Sequence, residues 1–202
     1  MTANVRLGVT VPMERTKADL RATALAAREK LSEKQRSNAA NALAKRGLPV
    51  ALTPGIIISA YSPIRSEIDP APLMQALAKQ GARLALPTVT ARGKALIFRS
   101  YTVGDRLTLG MLGIPEPSPA AAEVVPDIML VPLAAFDASG HRIGYGAGHY
   151  DYTFAHLRRH KAVIGIGLAF AAQEIEAVPA LSHDVPLDYV LTEKRVFDFR
   201  SG

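Results

Sequence analysis

The residues best placed by type and spacing to do chemistry lie in RIGYGAGHYD, Arg142 to Asp151. Gly144, Gly146 and Gly148 occupy alternate positions, with an arginine before them and an aspartate after. Glycine reaches positive φ and lets the backbone approach a ligand closely. Successive N–H groups in such a loop form an anion-binding concavity. A helix expected from Tyr150 to about His160 adds free N–H groups and a dipole. Arg142 can fork two bonds onto phosphate oxygens. Together these features describe a phosphate cradle. Asp151 should repel that anion, and two readings of it stay open. It could cap the helix, a contribution of about 0.5–2 kcal/mol. Alternatively it could hold magnesium, which takes one or two carboxylates plus substrate phosphates. A tight structural turn would also use the glycines, although not the two charges. The loop lacks the Lys-Ser/Thr pair of a Walker motif, and its spacing is G-x-G-x-G where the dinucleotide fingerprint needs G-x-G-x-x-G.

Such a loop must be held by regular elements. Between Lys17 and Arg46 there is neither proline nor glycine, and Leu20, Ala24, Ala27 and Leu31 recur at helical spacing. One or two helices are expected there, with Ser32 and Gln35 as a capping box for the second and Gly47 with Pro49 as its stop. Ile56–Tyr61 reads as a buried strand. Asp69 to Gln80 reads as a helix, with Asp69 at the N-cap, Pro70 at N1 and Gly81 after its end. Further strands are expected at Arg83–Pro87, Ala95–Arg99, Ile128–Pro132, Ala162–Gly167 and Leu187–Leu191, the second of these in a hairpin. Residues 104–126, rich in glycine and proline, read as an extended connection. Strands separated by helices predict an α/β fold: an open, largely parallel, Rossmann-like sheet flanked by helices, with a helical N-terminal segment over 17–46. Ligands bind such sheets beyond the carboxyl ends of the strands, where strand order reverses. Residues 136–151 follow the end of the strongest strand.

Composition narrows the class. The 202 residues are 49% apolar and 21% charged, as in ordinary globular proteins, and suffice for one domain with a sizeable core. No run approaches the roughly 20 apolar residues of a membrane helix, and the N-terminus does not read as a secretory signal. The chain has no cysteine, which excludes disulfides, thiolate catalysis and zinc–sulfur sites. A cytoplasmic protein is expected, with residues 1–14 poorly ordered. The net charge of +6 lies wholly in residues 1–50, with ten Lys/Arg against four Asp/Glu. A solvated helix face, a nucleic-acid contact or attraction of a small polyanion would each account for it. Residues 1–50 contain no Phe, Tyr or Trp to stack on bases, which argues against nucleic acid. His156 and His160 stand four apart, a zinc-compatible spacing, but with no obvious third ligand they read as a solvated face.

The run Asp127 to Asp151, DIMLVPLAAFDASGHRIGYGAGHYD, resembles the signature of the 5-formyltetrahydrofolate cyclo-ligase family. In that family a strand ends in proline and is followed by a Phe-Asp pair, a Gly-x-Arg turn, a glycine-rich loop and Tyr-Asp. The order of other elements agrees: Lys17 and Arg21, YSPIRSEID with Glu67, Gly113 to Pro117, and His183-Asp184. The resemblance spans residues 15–195. It implies conversion of 5-formyltetrahydrofolate to 5,10-methenyltetrahydrofolate, with Mg²⁺ and ATP consumed and ADP and phosphate released. It further implies that Lys17, Arg21 and the segment Arg142, Ile143, Gly144, Tyr145, Gly146, Ala147, Gly148, His149 and Tyr150 hold ATP. Arg142 and Asp151 would be catalytic, and Asp151 and Asp184 would carry magnesium. The folate would lie against Tyr145, Gly146, Ala147, Gly148 and His149 and reach Glu67, with Tyr61 and Ser62 lining its pocket. The expected partners are thus ATP and the folate, with no nucleic acid and no membrane, and the expected form is a monomer. His183 would orient Asp184 or the backbone.

The chemistry fits those residue types. The formyl oxygen is a poor leaving group until it is phosphorylated, and phosphoryl transfer asks mainly for alignment and charge neutralisation. A pterin offers an amino group and a ring N–H side by side, a donor pair that Glu67 could accept. Without the resemblance, Glu67 reads as a surface charge or a cap contact. Tyr145, Tyr150 and Phe136 could stack on the pterin or belong to the core. Three positions depart from the family pattern: Ala147 where a third consecutive glycine is frequent, His149 where tyrosine is common, and Tyr152 where a basic residue is frequent. A paralogue with the same phosphate site and another small substrate is the alternative.

Overall fold

The computed structural model describes residues 15–182 and 184–200, so the expectations for residues 1–14 and His183 lie outside the described residues. Two helices open the fold, α1 (Lys17–Glu29) and α2 (Glu33–Arg46). The Ser32–Gln35 capping box forms at the start of α2, and Gly47 closes that helix at φ 72°. Strand β1 (Ile57–Ser59) leads to α3 (Ala71–Lys79). The helix begins one residue later than expected, so Pro70 and not Asp69 is its N-cap and no side chain caps it; Asp69 instead closes a local turn, its Oδ1 accepting from the Ala71 N–H at 2.9 Å. β2 (Arg83–Thr88) and β3 (Ile97–Tyr101) form the expected antiparallel hairpin.

Three short strands, β4 (Thr108–Leu109), β5 (Pro115–Glu116) and β6 (Glu123–Val124), punctuate the connection over 104–126. Then come β7 (Ile128–Pro132), β8 (Ala135–Phe136) and β9 (Arg142–Ile143). Helix α4 (His149–Leu157) is shorter than expected, because Arg159 and His160 bond back to His156 and Leu157 in tighter turns. β10 (Ile164–Leu168), β11 (Tyr189–Leu191) and β12 (Val196–Asp198) complete the chain.

Eight strands form one sheet in the order β12-β11-β10-β7-β1-β2-β3-β6. The central five, β11, β10, β7, β1 and β2, are parallel, and the outer pairings are antiparallel. Residues on β7 alternate between faces. Ile128 and Leu130 join the cluster with Leu43 of α2 and Leu73 and Leu77 of α3. Met129 and Val131 join the opposite cluster with Phe154 of α4. Period-two alternation with both faces covered is why the whole strand is apolar.

Among the parallel strands β1 lies between β2 and β7, so chain order reverses at the β1–β7 junction. Beyond the carboxyl ends of these strands sits the β8–β9 hairpin, which sequence reading missed. Asp137 organises it: Oδ1 accepts from the Ser139 and His141 N–H groups, and Oδ2 from that of Val178. Ala24 of α1 packs on Ala134, Ala135 and Ile143 of this region. Helix α1 is thereby held at the rim of the sheet, next to the glycine loop.

β10 carries two glycines for a packing reason. A Cβ on Gly165 would come within 2.6 Å of the Phe154 ring, and one on Gly167 within 2.7 Å of Leu133. Gly165→Val is expected to cost about 1–3 kcal/mol by overpacking. Urea unfolding checks this, and a wild-type midpoint would contradict the close α4–β10 contact.

Candidate active site

A cleft of about 910 Å³ opens over the β1–β7 junction. Tyr61 and Ser62, just past β1, and Pro132, at the end of β7, line it. A cleft at the carboxyl ends, where strand order reverses, is the expected ligand position in such sheets. Every residue singled out from the sequence as a site residue contributes to its wall: Lys17 and Arg21, Glu67, the run from Arg142 to Asp151, and Asp184.

The glycine loop bridges β9 and α4. Gly146 and Gly148 take φ of 94° and 68°, which a residue with a Cβ resists. Gly144 and Ala147 do not take positive φ, so alanine at 147 needs no left-handed backbone. Instead, the Gly144 carbonyl accepts a 2.6 Å bond from Arg21 Nε. Gly148 is the N-cap of α4, whose first turn holds Asp151. The Asp151 carboxylate does not cap that helix. Its Oδ1 accepts from Arg142 Nη2 at 2.7 Å and from the Val185 N–H at 3.2 Å.

Arg142 is nearly buried, donates also to the Val185 carbonyl, and stands 5.6 Å from the Phe154 ring centroid. Burial pushes its pKa down, and the Asp151 carboxylate opposes that shift. Next to this pair, Lys17 pairs with Asp184, whose Oδ2 also accepts from the Leu181 N–H at 2.6 Å. Arg142 and Lys17 are thus matched by carboxylates that themselves line the cleft, while Arg21 bonds to the Gly144 carbonyl.

Glu67 also lines the cleft and is only 8% exposed, so it is no surface charge. Its Oε2 accepts from the Ile64 N–H at 2.8 Å, closing a turn in which exposed Arg65 takes φ 53°. Burial pushes the Glu67 pKa up, while the Tyr145 hydroxyl, the Ile64 N–H and Arg28 oppose the shift. Tyr145 and Tyr150 line the cleft beside it, and burial raises both phenol pKa values. Phe136 belongs to the core, edge-on to Phe197 at 5.0 Å, and so cannot stack on a ligand. His156 and His160 are exposed with ring centroids 6.0 Å apart, and His160 lies past the end of α4.

Sequence reading passed over Arg28. Seven residues after Arg21, it shares that face of α1, yet it is 1% exposed. The available signal was its helical phase with Lys17 and Arg21, since i, i+4 and i+7 steps keep one face.

Residues 13–193 match the model of the 5-formyltetrahydrofolate cyclo-ligase family. The chain belongs to that family. It is 35% identical to the 5-formyltetrahydrofolate cyclo-ligase of Mycolicibacterium smegmatis over 193 residues, covering 90% of this chain and 95% of the relative. The Escherichia coli cyclo-ligase is 31% identical over 147 residues, 70% of this chain and 80% of that one. The solved structure of Aquifex aeolicus 5,10-methenyltetrahydrofolate synthetase superposes with a TM-score of 0.76 at 31% identity, covering 92% and 94% of the two chains. The Mycoplasma pneumoniae structure, at 24% identity and TM-score 0.69, shares the fold over 89% of this chain and 99% of that one.

The donor set suits magnesium delivered with phosphates. Among the described residues no group of three or more His, Cys, Asp or Glu could hold a metal unaided. Two carboxylates, Asp151 and Asp184, share the cleft with the glycine loop. Mg²⁺ characteristically binds through one or two carboxylates together with phosphate oxygens and water.

Within this cyclo-ligase cleft His149 is tied to the β2–β3 connection, its Nδ1 lying 2.8 Å from the Lys94 carbonyl. His149→Phe is expected to retain measurable turnover, because the contact is made to main chain remote from the loop's own N–H groups. Complete loss of activity in a folded variant would assign the imidazole an essential role.

Proposed function

We propose that this cyclo-ligase converts 5-formyltetrahydrofolate to 5,10-methenyltetrahydrofolate with cleavage of ATP to ADP and phosphate. The observation that carries the reading is one cleft lined together by a phosphate-type loop, cations and a buried carboxylate. ATP phosphates lie along Lys17, Arg21 and the loop from Arg142 to Tyr150. The folate lies against residues 145–149, with Tyr61 and Ser62 beside it and Glu67 accepting the pterin donor pair. Asp151 and Asp184 hold magnesium. When bound, the ion neutralises phosphate charge as the γ-phosphoryl group is transferred.

The formyl oxygen attacks the γ-phosphorus and ADP leaves, giving an iminium phosphate on nitrogen 5. Nitrogen 10 then adds to the activated carbon and loses its proton, and phosphate departs as the five-membered ring closes. No side-chain nucleophile is needed. Arg142 stabilises the transferring group, and its rigid mounting between Val185 and Asp151 orients it in advance. The loop and α1 hold the two reactants in line, the largest contribution the protein can make to such a transfer. We further propose that the enzyme acts as a one-domain cytoplasmic monomer.

A spectrophotometric assay tests the reading. Purified protein with 5-formyltetrahydrofolate and Mg-ATP is expected to produce the near-ultraviolet absorbance of the methenyl product, and none without ATP. Folded protein that binds ATP but yields no such product would instead be a paralogue with another substrate.

A further inference from the structure

We infer that Arg28 is a positioning residue for folate recognition: from α1 it braces Tyr145 against Glu67 and anchors the turn that carries Glu67. This rests on the folate reading of the cleft. Arg28 Nη1 donates to the Tyr145 hydroxyl at 2.6 Å, and Nε donates to Ser66 Oγ at 3.1 Å. The guanidinium thus joins the three segments that meet at the folate end: α1, the glycine loop and the turn after β1. Tyr145 lies beside Glu67 in the cleft and its hydroxyl favours the ionised carboxylate, so the influence of Arg28 reaches Glu67 both through Tyr145 and directly.

Stability does not explain this arrangement. The side chain is 1% exposed, its Nη2 has no hydrogen-bond partner, and it makes no ion pair among the described residues. Burying a charge so incompletely compensated is costly, and an apolar residue of similar volume in such a position is often neutral or stabilising. An interior cation of this kind points to function. The groups that face Glu67 electrostatically are Tyr145 of the loop, Tyr150 of α4, Tyr61 beyond β1, and Arg28. Arg28 is the cation among them. It both orients the tyrosine and favours the ionised carboxylate, which is the form that accepts a donor pair from a pterin.

Arg28→Met and Arg28→Lys test the inference, with folate and ATP constants measured from acid to alkaline pH. Arg28→Met is expected to fold with a melting temperature no lower than wild type. Its folate KM near neutral pH should rise by about 10-fold, the worth of one charge-assisted contact. The ATP KM should stay within about two-fold, because Arg28 contacts the Tyr145 hydroxyl and Ser66 rather than the loop main chain or the cations assigned to the phosphates. Glu67 should also protonate more readily, so the acid limb of folate kcat/KM moves to higher pH. Arg28→Lys should recover part of both effects, keeping the charge without the fork.

Equal changes in both KM values, or an unmoved acid limb, would overturn the role. Should Arg28→Met fail to fold, Tyr145→Phe reads the same relay by removing one hydroxyl; an unmoved acid limb there has the same meaning. Wild-type protein without folate turnover overturns the folate reading, and Arg28's part with it. Wild-type turnover with unchanged Arg28→Met constants overturns Arg28 alone.

Discussion

Asp151→Asn is expected to lower Mg-ATP-dependent turnover by about 100-fold or more, since several kcal/mol of transition-state charge stabilisation depend on a correctly held metal. The apparent magnesium requirement should shift to higher concentration in the same variant. Loss of the charge also weakens the mounting of Arg142, whose side chain is 5% exposed while that of Asp151 is 27% exposed. Breaking a buried pair is costly, but the partly exposed carboxylate moderates this, and about 1–3 kcal/mol of stability should be lost. The fold should survive, because Arg142 keeps its bond to the Val185 carbonyl. Turnover across a magnesium titration, with thermal unfolding alongside, separates the two effects. Wild-type turnover in a merely destabilised protein would leave Asp151 an ion-pair residue and remove it from catalysis.

Glu67→Gln is expected to raise the folate KM by about 10- to 100-fold, because an accepting carboxylate becomes half acceptor and half donor before the pterin's donor pair. The ATP KM should change little, the proposed phosphate contacts being made by other residues of the cleft. The pH dependence has a definite sign. Burial raises the Glu67 pKa, so in the free enzyme the carboxylate protonates at higher pH than an exposed glutamate would. Folate binding should therefore weaken as pH falls through that raised value, and Glu67→Gln should lack this limb.

Stability runs the opposite way. A carboxyl with a raised folded-state pKa favours the folded protein most below its unfolded-state pKa and loses that contribution as pH rises through the folded value. Glu67→Gln should accordingly be no less stable than wild type at neutral pH. Parallel pH profiles of kcat/KM for both substrates, with melting temperatures, test all three statements. Equal effects on folate and ATP would sink the pterin role.

Local signals in the sequence were read correctly where the interactions are local. The Ser32–Gln35 box and the Gly47 stop each involve residues within a few positions of one another. The apolar run of β7 and the glycine loop before α4 were equally legible, because burial on two faces and the need for positive φ leave direct marks on residue type. The β8–β9 hairpin was not. Its two-residue strands carry no period, and Asp137 organises it partly through Val178, 41 positions away.

By itself, the sequence determined the α/β class, the separate N-terminal helices and the residue types of the candidate site. Tertiary structure alone decided which of those residues meet. Arg28 to Tyr145 spans 117 positions, Arg21 to Gly144 spans 123 and Lys17 to Asp184 spans 167. Strand order sets these encounters by bringing the ends of β1 and β7 together and leaving α1 at the rim. It likewise decided that Phe136 is core, that Glu67 is buried and that Arg28 lies inside, since burial depends on what packs against a residue. Spacing along a helix fixes the face a side chain occupies; only the packed neighbours determine what that face meets.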